Sequence, residues 1–175
     1  YKAGIEGNYK SAETLLNQLI NSDALLEVRF RAAFTLANIQ SLSRNFVPAF
    51  TNLNLALSWI DKIEKPELRV QVLISAAYTY SESGLFDESQ SYILQARQNT
   101  LTDRDSCLLG LLYRQNMHSR NETYEGEQVS EIEQACTSAN ERLALAFMTA
   151  LDAQLLESKQ QHAAAYTLLQ DGLAA

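Results

Sequence analysis

The sequence predicts an all-α protein, built as a right-handed superhelical array of antiparallel helix hairpins with about nine helices. One observation is a pattern of small and large apolar residues that returns about every 37 to 40 residues, a period typical of stacked helical repeats. A second is that the 175 residues include only two prolines and six glycines. A third is that runs with strand-like alternation are hard to find, which favours a nearly all-helical chain.

The repeat is clearest between Val70 and Ala96, and a second copy begins 40 residues earlier. Small residues recur where two helices must approach closely, and large apolar residues recur where they fill the seam. The clearest copy contains Leu73, Ala76, Ala77, Tyr80, Gly84, Phe86, Ser89, Ile93 and Ala96, and the earlier copy contains Ala33, Leu36, Ala37, Gln40, Arg44, Phe46, Ala49, Leu53 and Ala56. Each hairpin therefore needs a neighbour to bury its apolar face.

The helices follow from the 3.6-residue period and from capping signals. Pro66 suits the first position of a helix, and Asn45 is a plausible cap. Thr102 with Asp105, and Ser138 with Glu141, resemble capping boxes. We expect helices over residues 9–21, 24–41, 46–63, 66–83, 86–99, 103–119, 128–137, 140–158 and 161–173, with 120–126 as the longest loop.

We expect one repeat domain over residues 1–175, with a partial repeat at 1–22 and full repeats at about 24–63, 66–99, 103–137 and 140–175. Residues 1–7 read as the tail of a helix, and residues 168–175 stop without a cap or a polar tail. Both ends therefore predict a segment of a longer protein, with any targeting sequence or effector domain outside it.

The repeat resembles the tetratricopeptide repeat. The nine residues from Leu73 to Ala96 given above match that family in order and spacing, and Leu109-Gly110-Leu111-Leu112-Tyr113 resembles its first-helix signature again. In the last hairpin, Ala164 or Ala165 takes the small position. The resemblance implies the fold; it does not identify a function, because such repeats serve many unrelated partners.

A finer resemblance is to the helical-repeat sensor regions of bacterial signalling proteins. The repeat spacing, the Gln- and Ser-rich surface and the cut ends carry it. In those proteins the repeats precede a membrane helix and an output domain, often a diguanylate cyclase of the GGDEF type. The resemblance implies a periplasmic, non-catalytic sensor module that regulates an output domain outside this segment. The alternative is a cytoplasmic scaffold or peptide-responsive regulator.

Charge and hydropathy limit the partners. The formal net charge is −7, which argues against nucleic acid because phosphate binding requires a basic surface. The sequence contains no run of 18 apolar residues, so a membrane would be reached only through segments outside these residues. We therefore expect a peptide or protein ligand, and self-association through the apolar ends of the array.

The groove expected to hold a ligand is the concave face lined by the first helix of each hairpin. Aromatic and aliphatic side chains there offer apolar surface, and arginine and asparagine can pair with a carboxylate or a peptide backbone. The alternative is that the apolar members pack between neighbouring hairpins. The groove candidates are Arg31, Phe34, Asn38, Gln71, Ile74, Tyr78 and Arg114, and Arg104 would extend the groove together with Arg114 in the third full repeat.

Cys107 and Cys136 lie at equal distances from the middle of the 120–126 loop. Residues equidistant from a bend lie at similar heights on the two arms of a hairpin, so the pair is a disulfide candidate if both face the seam. A disulfide would imply an oxidising compartment. The alternative is two buried free thiols on separate faces.

The search for chemistry favours no catalytic site, no cofactor and no metal site. His118 and Glu122 stand four residues apart, but one such pair is common at a helix end. Ser106-Cys107 lacks the glycines of a nucleophile elbow, and no phosphate-binding glycine loop is present. Trp59, at helical spacing from Leu55 and Ile63, is expected in the core.

Overall fold

The computed structural model describes residues 9–122 and 127–174. Over these residues the chain forms nine α-helices and one short 3-10 helix and no strand, which confirms the all-α prediction. The helices are α1 (Tyr9–Ile20), α2 (Leu26–Leu42), α3 (Phe46–Leu57), α4 (Pro66–Glu82), α5 (Phe86–Arg97), α6 (Asp103–Ser119), α7 (Glu127–Ser138), α8 (Arg142–Ser158) and α9 (His162–Ala174), with the 3-10 helix at Ile60–Lys62.

The chain divides into two compact units, Tyr1–Thr100 and Leu101–Ala175. We call them unit 1 and unit 2. Unit 1 contains α1 to α5, and unit 2 contains α6 to α9. In each unit, helices that follow one another in the chain pack together. The first helix of one hairpin also packs on the first helix of the next, α2 on α4 in unit 1 and α6 on α8 in unit 2.

Helix lengths alternate along the chain. The helices α2, α4, α6 and α8 are each 17 residues long, whereas α1, α3, α5 and α7 are each 12 residues long. The four long helices can therefore be compared position by position, counting from Leu26, Pro66, Asp103 and Arg142 as position 1. These counted positions are used below.

Five turns share one backbone geometry. The second residue after the helix has a positive φ, at Arg44 (55°), Gly84 (80°), Asn121 (54°), Asn140 (56°) and Gln160 (60°). In each turn the next backbone N–H donates to the carbonyl five residues earlier, at 2.8–2.9 Å. This is the Schellman motif, in which a left-handed residue closes the helix end and satisfies its last carbonyls. Glycine, which adopts this conformation without strain, occupies one of the five positions.

The small residues of the repeat lie in the seams. Ala37, Ala77, Ala56 and Ala96 are all fully buried, because each lies where two helix backbones come close. Around them in unit 1, the core is filled by large apolar side chains, Phe30, Leu36, Leu53, Ile63, Leu68 and Val72. Burying such surface stabilises the unit by about 25 cal/mol per Å².

The third helix is shorter than predicted. It ends at Leu57 instead of Ile63, and Ile60–Lys62 form the 3-10 turn. The chain leaves the helix there because Ile63 turns into the core and its carbonyl accepts a hydrogen bond from Arg69 Nε at 2.6 Å. Trp59 lies partly buried against the unit 1 core, with the guanidinium of Arg29 at 5.1 Å from its ring centroid.

The two predicted capping boxes have different outcomes. Thr102 accepts a hydrogen bond from the Asp105 N–H, and the Asp105 carboxylate accepts one from the Thr102 N–H, so α6 begins with a complete box. The box expected from Ser138 and Glu141 is wrong. Ser138 ends α7, α8 begins at Arg142, and the Glu141 carboxylate instead pairs with Arg104 Nε at 2.8 Å. The predicted helix tail at 1–7 and the loop centre at 123–126 lie outside the described residues.

Candidate functional site

The groove residues predicted in unit 1 lie at matched positions of two packed helices. Arg31 and Gln71 occupy position 6, Phe34 and Ile74 occupy position 9, and Asn38 and Tyr78 occupy position 13. We call this set of six the α2–α4 face. The matched positions recur because both helices have the same length and the same closing turn.

Two side-chain hydrogen bonds join α2 and α4 beside this face. Asn38 Nδ2 donates to Ser75 Oγ at 3.0 Å. The hydroxyls of Ser41 and Thr79 are also 3.0 Å apart and are buried. These bonds connect position 13 of α2 to position 10 of α4 and position 16 of α2 to position 14 of α4, so they join the two helices beside the face.

The six side chains differ in exposure. Arg31 and Gln71 are exposed, and Asn38, Ile74 and Tyr78 are half-buried. Phe34 is buried and packs edge-on against Phe30, with ring centroids 5.4 Å apart. Phe34 therefore packs within the fold, because its ring is withdrawn from the surface.

The α2–α4 face includes one buried acceptor and one half-buried donor. Asn38 Oδ1 is buried and has no hydrogen-bond partner among the described residues. It is therefore an unsatisfied acceptor in a region of low dielectric. The pKa of Tyr78 is raised by burial and then by the negative charge of Glu82, with Arg44 acting in the opposite direction. The Tyr78 hydroxyl therefore stays protonated and can donate.

Arg114, the groove residue predicted in unit 2, is buried instead of exposed. Its side chain is 1% exposed and lies 3.3 Å from Glu133 Oε1 and 3.5 Å from Asp152 Oδ2. It occupies position 12 of α6, where the other long helices place Ala37, Ala77 and Ala153. A buried guanidinium requires such acidic partners because the uncompensated charge would be costly.

The prediction that Arg114 lies in the groove was wrong because it relied on matching Leu109–Tyr113 to the repeat signature. That match aligns Gly110 with Ala77, but Gly110 is the eighth residue of α6 and Ala77 is the twelfth of α4. The true register differs by about one helical turn. Gly110 nevertheless lies where α6 and α7 come close, because a Cβ atom there would be 2.4 Å from Ile132 Cγ2.

Cys107 and Cys136 are brought together and form a disulfide. Their Cα atoms are 4.7 Å apart, and both residues are fully buried. The bond links α6 to α7 and lies in a buried cluster with Ile132, Ala144 and Met148. Of the two alternatives for these cysteines, the structure has the bonded one.

The described part of the chain contains no group of three or more His, Cys, Asp or Glu side chains arranged to hold a metal ion. His118 lies at the end of α6, and His162 Nδ1 lies 2.8 Å from Glu157 Oε2 on an exposed surface. In residues 9–122 and 127–174, no helix has both the length and the apolar character needed to cross a membrane.

A cavity in unit 2 was not anticipated from the sequence. It has a volume of about 750 Å³ and opens between α7, α8 and the end of α9. Its lining residues are Glu133, Thr137, Asn140, Arg142, Leu143, Leu145, Ala146, Met148, Thr149 and Gly172. The one signal in the sequence was the short connection between α7 and α8, with apolar residues soon after it.

We compared the chain with known protein families, with curated proteins and with solved structures, and none of them matches it.

Proposed function

We propose that this chain is a non-catalytic peptide- or protein-binding module of a bacterial signalling protein, arranged as a tetratricopeptide-like superhelical array. The observation that carries the proposal is the α2–α4 face, where exposed or half-buried side chains recur at positions 6 and 13 of two packed helices. A surface with that spacing suits an elongated ligand that contacts both helices in the same way.

The chemistry of the face suits a peptide. The half-buried Tyr78 hydroxyl would donate a hydrogen bond to a backbone carbonyl of the peptide. Ile74 gives apolar contact, and Arg31 provides a charge for a carboxylate on the ligand.

The disulfide supports an extracytoplasmic location. Disulfides persist in oxidising compartments such as the bacterial periplasm and are rare in the cytosol. This agrees with a sensor region of a membrane-anchored parent protein, whose output domain, such as a diguanylate cyclase, would respond to ligand binding. A cytoplasmic scaffold built from the same hairpins is the competing proposal, and it requires Cys107 and Cys136 to be reduced in the cell.

Binding at the α2–α4 face is tested by selecting displayed twelve-residue peptides on the folded chain and measuring their affinity by fluorescence anisotropy. The double variant Arg31→Glu/Gln71→Glu should weaken the selected peptides by about tenfold or more. The control Asn54→Glu/Lys62→Glu changes the net charge equally at exposed positions off the face, and it should leave affinity unchanged. Equal weakening by both variants would show that only bulk charge matters.

The location is tested by thiol alkylation in cells that express the full-length parent protein. Protection of both cysteines until reductant is added is expected for a periplasmic module. Immediate alkylation of both cysteines in the denatured chain would favour the cytoplasmic scaffold.

A further inference from the structure

The cavity of unit 2 is polar where α7 passes into α8. Thr137, Asn140 and Arg142 line it there. The Thr137 hydroxyl donates to the backbone carbonyl of Glu133 at 2.8 Å, so it has no hydrogen left for a ligand. The side-chain donors at this end are therefore the guanidinium of Arg142 and the amide of Asn140.

The two charged side chains that line the cavity, Glu133 and Arg142, differ in their partners. Glu133 Oε1 lies 3.3 Å from the buried guanidinium of Arg114, so this carboxylate is already paired. Arg142 forms no ion pair with any residue that the structure describes. Its chain neighbour Glu141 pairs with Arg104 at 2.8 Å instead. The cavity therefore presents a cation that is available to an anionic ligand.

The wall along α8 is apolar. Leu145 and Ala146 stand at positions 4 and 5 of α8, between Arg142 at position 1 and Thr149 at position 8, so all four lie on one side of the helix. Leu145 is half-buried and Ala146 is exposed, so both have surface that a ligand can cover. Met148 is 1% exposed and belongs to the disulfide cluster, so it contributes little of that surface.

The other end of the cavity lies where α9 comes close to α8. A Cβ atom at Gly172 would be 2.8 Å from Thr149 Cγ2. The Thr149 hydroxyl donates to the Leu145 backbone carbonyl at 3.0 Å, so it offers no hydrogen to a ligand. Positions 1 to 8 of α8 span about 10 Å along the helix axis. The cavity thus has a cationic end, an apolar wall about 10 Å long and a far end without a side-chain donor.

We propose that the unit 2 cavity binds an amphipathic carboxylate, a small molecule with one carboxylate group and an unbranched aliphatic chain. The carboxylate pairs with Arg142 and accepts a hydrogen bond from Asn140. The aliphatic chain lies along Leu145 and Ala146 towards Thr149. A peptide backbone suits this wall less well, because its polar groups would meet no hydrogen-bonding side chain of α8 between Arg142 and Thr149.

The dimensions of the cavity set the length of the ligand. An extended chain advances about 1.2 Å per bond, so an aliphatic acid of about ten carbons spans the wall of about 10 Å. The cavity volume of about 750 Å³ falls within the range of small-molecule sites, roughly 300–1,000 Å³.

The probe is sodium decanoate, titrated below its micelle concentration into the full chain. The methyl groups of Leu145, Ala146 and Thr149 are followed by NMR, and we expect saturable shifts. Decylammonium has the same chain with the opposite charge, and hexanoate has the same charge with four methylene groups fewer. Each should bind at least about tenfold more weakly, because it loses either the ion pair or part of the apolar contact.

Two variants with matched controls locate the site. Arg142→Gln should weaken decanoate by about tenfold or more, whereas Lys159→Gln removes the same charge at an exposed position outside the cavity and should leave binding unchanged. Ala146→Phe fills the space along the apolar wall and should abolish the shifts. Gln154→Phe adds the same ring at an exposed position of α8 that does not line the cavity, and it should bind decanoate as the wild type does. Circular dichroism of all four variants checks that the helices remain folded.

Several outcomes would overturn this site. One is a titration without saturation, and another is equal affinity for decanoate and decylammonium. Equal weakening by Arg142→Gln and Lys159→Gln would show that only bulk charge matters, and binding that persists in Ala146→Phe would place the ligand elsewhere. The double variant Arg31→Glu/Gln71→Glu in unit 1 should not affect decanoate, so failure of this site and failure of the proposed function are separately observable.

Discussion

The two units differ in the residues that they place at position 12 of their long helices. Unit 1 places Ala37 and Ala77 there, both fully buried, and unit 2 places Arg114, also buried, at the corresponding position of α6. Helix length and closing turn are the same in both units. A seam can therefore contain small residues that let backbones approach, or a buried arginine that pairs with Glu133 and Asp152.

The helices and turns are determined by residues close together in the sequence, to a greater extent than the seams are. A 17-residue helix that ends in a Schellman turn depends on propensity and on one left-handed residue. What lies between two such helices depends on residues far apart in the sequence. Unit 2 also has the disulfide, which connects α6 to α7 across the seam that Gly110 makes narrow.

The largest effect on stability is expected when an arginine is placed at position 12 of a long helix in unit 1, as Arg114 is in unit 2. Ala37→Arg would bury a charge beside α4, where position 11 is Ala76 and not the aspartate that α8 provides at Asp152. We expect a loss of about 4 kcal/mol in the free energy of unfolding, from overpacking and an unpaired charge. Urea unfolding followed by Trp59 fluorescence measures it, since Trp59 is the single tryptophan and lies in unit 1.

The control for that variant is Ala37→Arg/Ala76→Asp, which restores one partner. It should be more stable than the sum of the two single changes predicts, with a coupling of about 1 kcal/mol. Strict additivity would show that the ionic cluster of unit 2 depends on surroundings that unit 1 does not share.

Removal of the disulfide should have the next largest effect and should be confined to unit 2. The bond closes a loop with a sequence separation of 29, for which loop-closure entropy gives about 3.6 kcal/mol of stabilisation. Cys107→Ala/Cys136→Ala should raise hydrogen exchange in α6 and α7 and leave the Trp59 unfolding transition in place. Faster exchange in α2 and α4 to the same extent would contradict the assignment of this stability to unit 2.

The closing turns allow a comparison of glycine with other residues in the same conformation. A Cβ at Gly84 would meet nothing within 4 Å, so Gly84→Ala tests backbone strain alone. We expect it to cost about 1 kcal/mol, because left-handed backbone is unfavourable for L-residues. Gln160→Gly in unit 2 relieves the same strain and should stabilise by about 0.5 kcal/mol. Thermal denaturation of each variant beside the wild type measures both, and two shifts of the same sign would contradict the argument.

The sequence was most informative where the signal was local. Pro66 starts α4, and Thr102 with Asp105 starts α6, because a cap depends on residues within one turn. Ser138 and Glu141 carried the same local signal, but they do not form a cap. The left-handed backbone of Asn140 and the ion pair between Glu141 and Arg104 determine the structure there. The pairing of Cys107 with Cys136 was left open because spacing does not fix helix rotation. The burial of Arg114 and the cavity beside α8 depend on long-range packing, for which the chain has no local signal.

The smallest effect concerns the pH dependence of unit 1. Burial raises the pKa of Tyr78, and burial with the neighbouring Tyr80 raises that of Tyr92. Below about pH 10 both the folded and the unfolded chain keep these protons. Above it the unfolded chain releases them first, so the stability of unit 1 falls as the pH rises through the folded-state pKa. Tyr78→Phe should make that fall shallower in Trp59-monitored urea unfolding at increasing pH, and Tyr78→Phe/Tyr92→Phe should make it shallower still. An unchanged slope in the double variant would show that other groups cause the alkaline loss of stability.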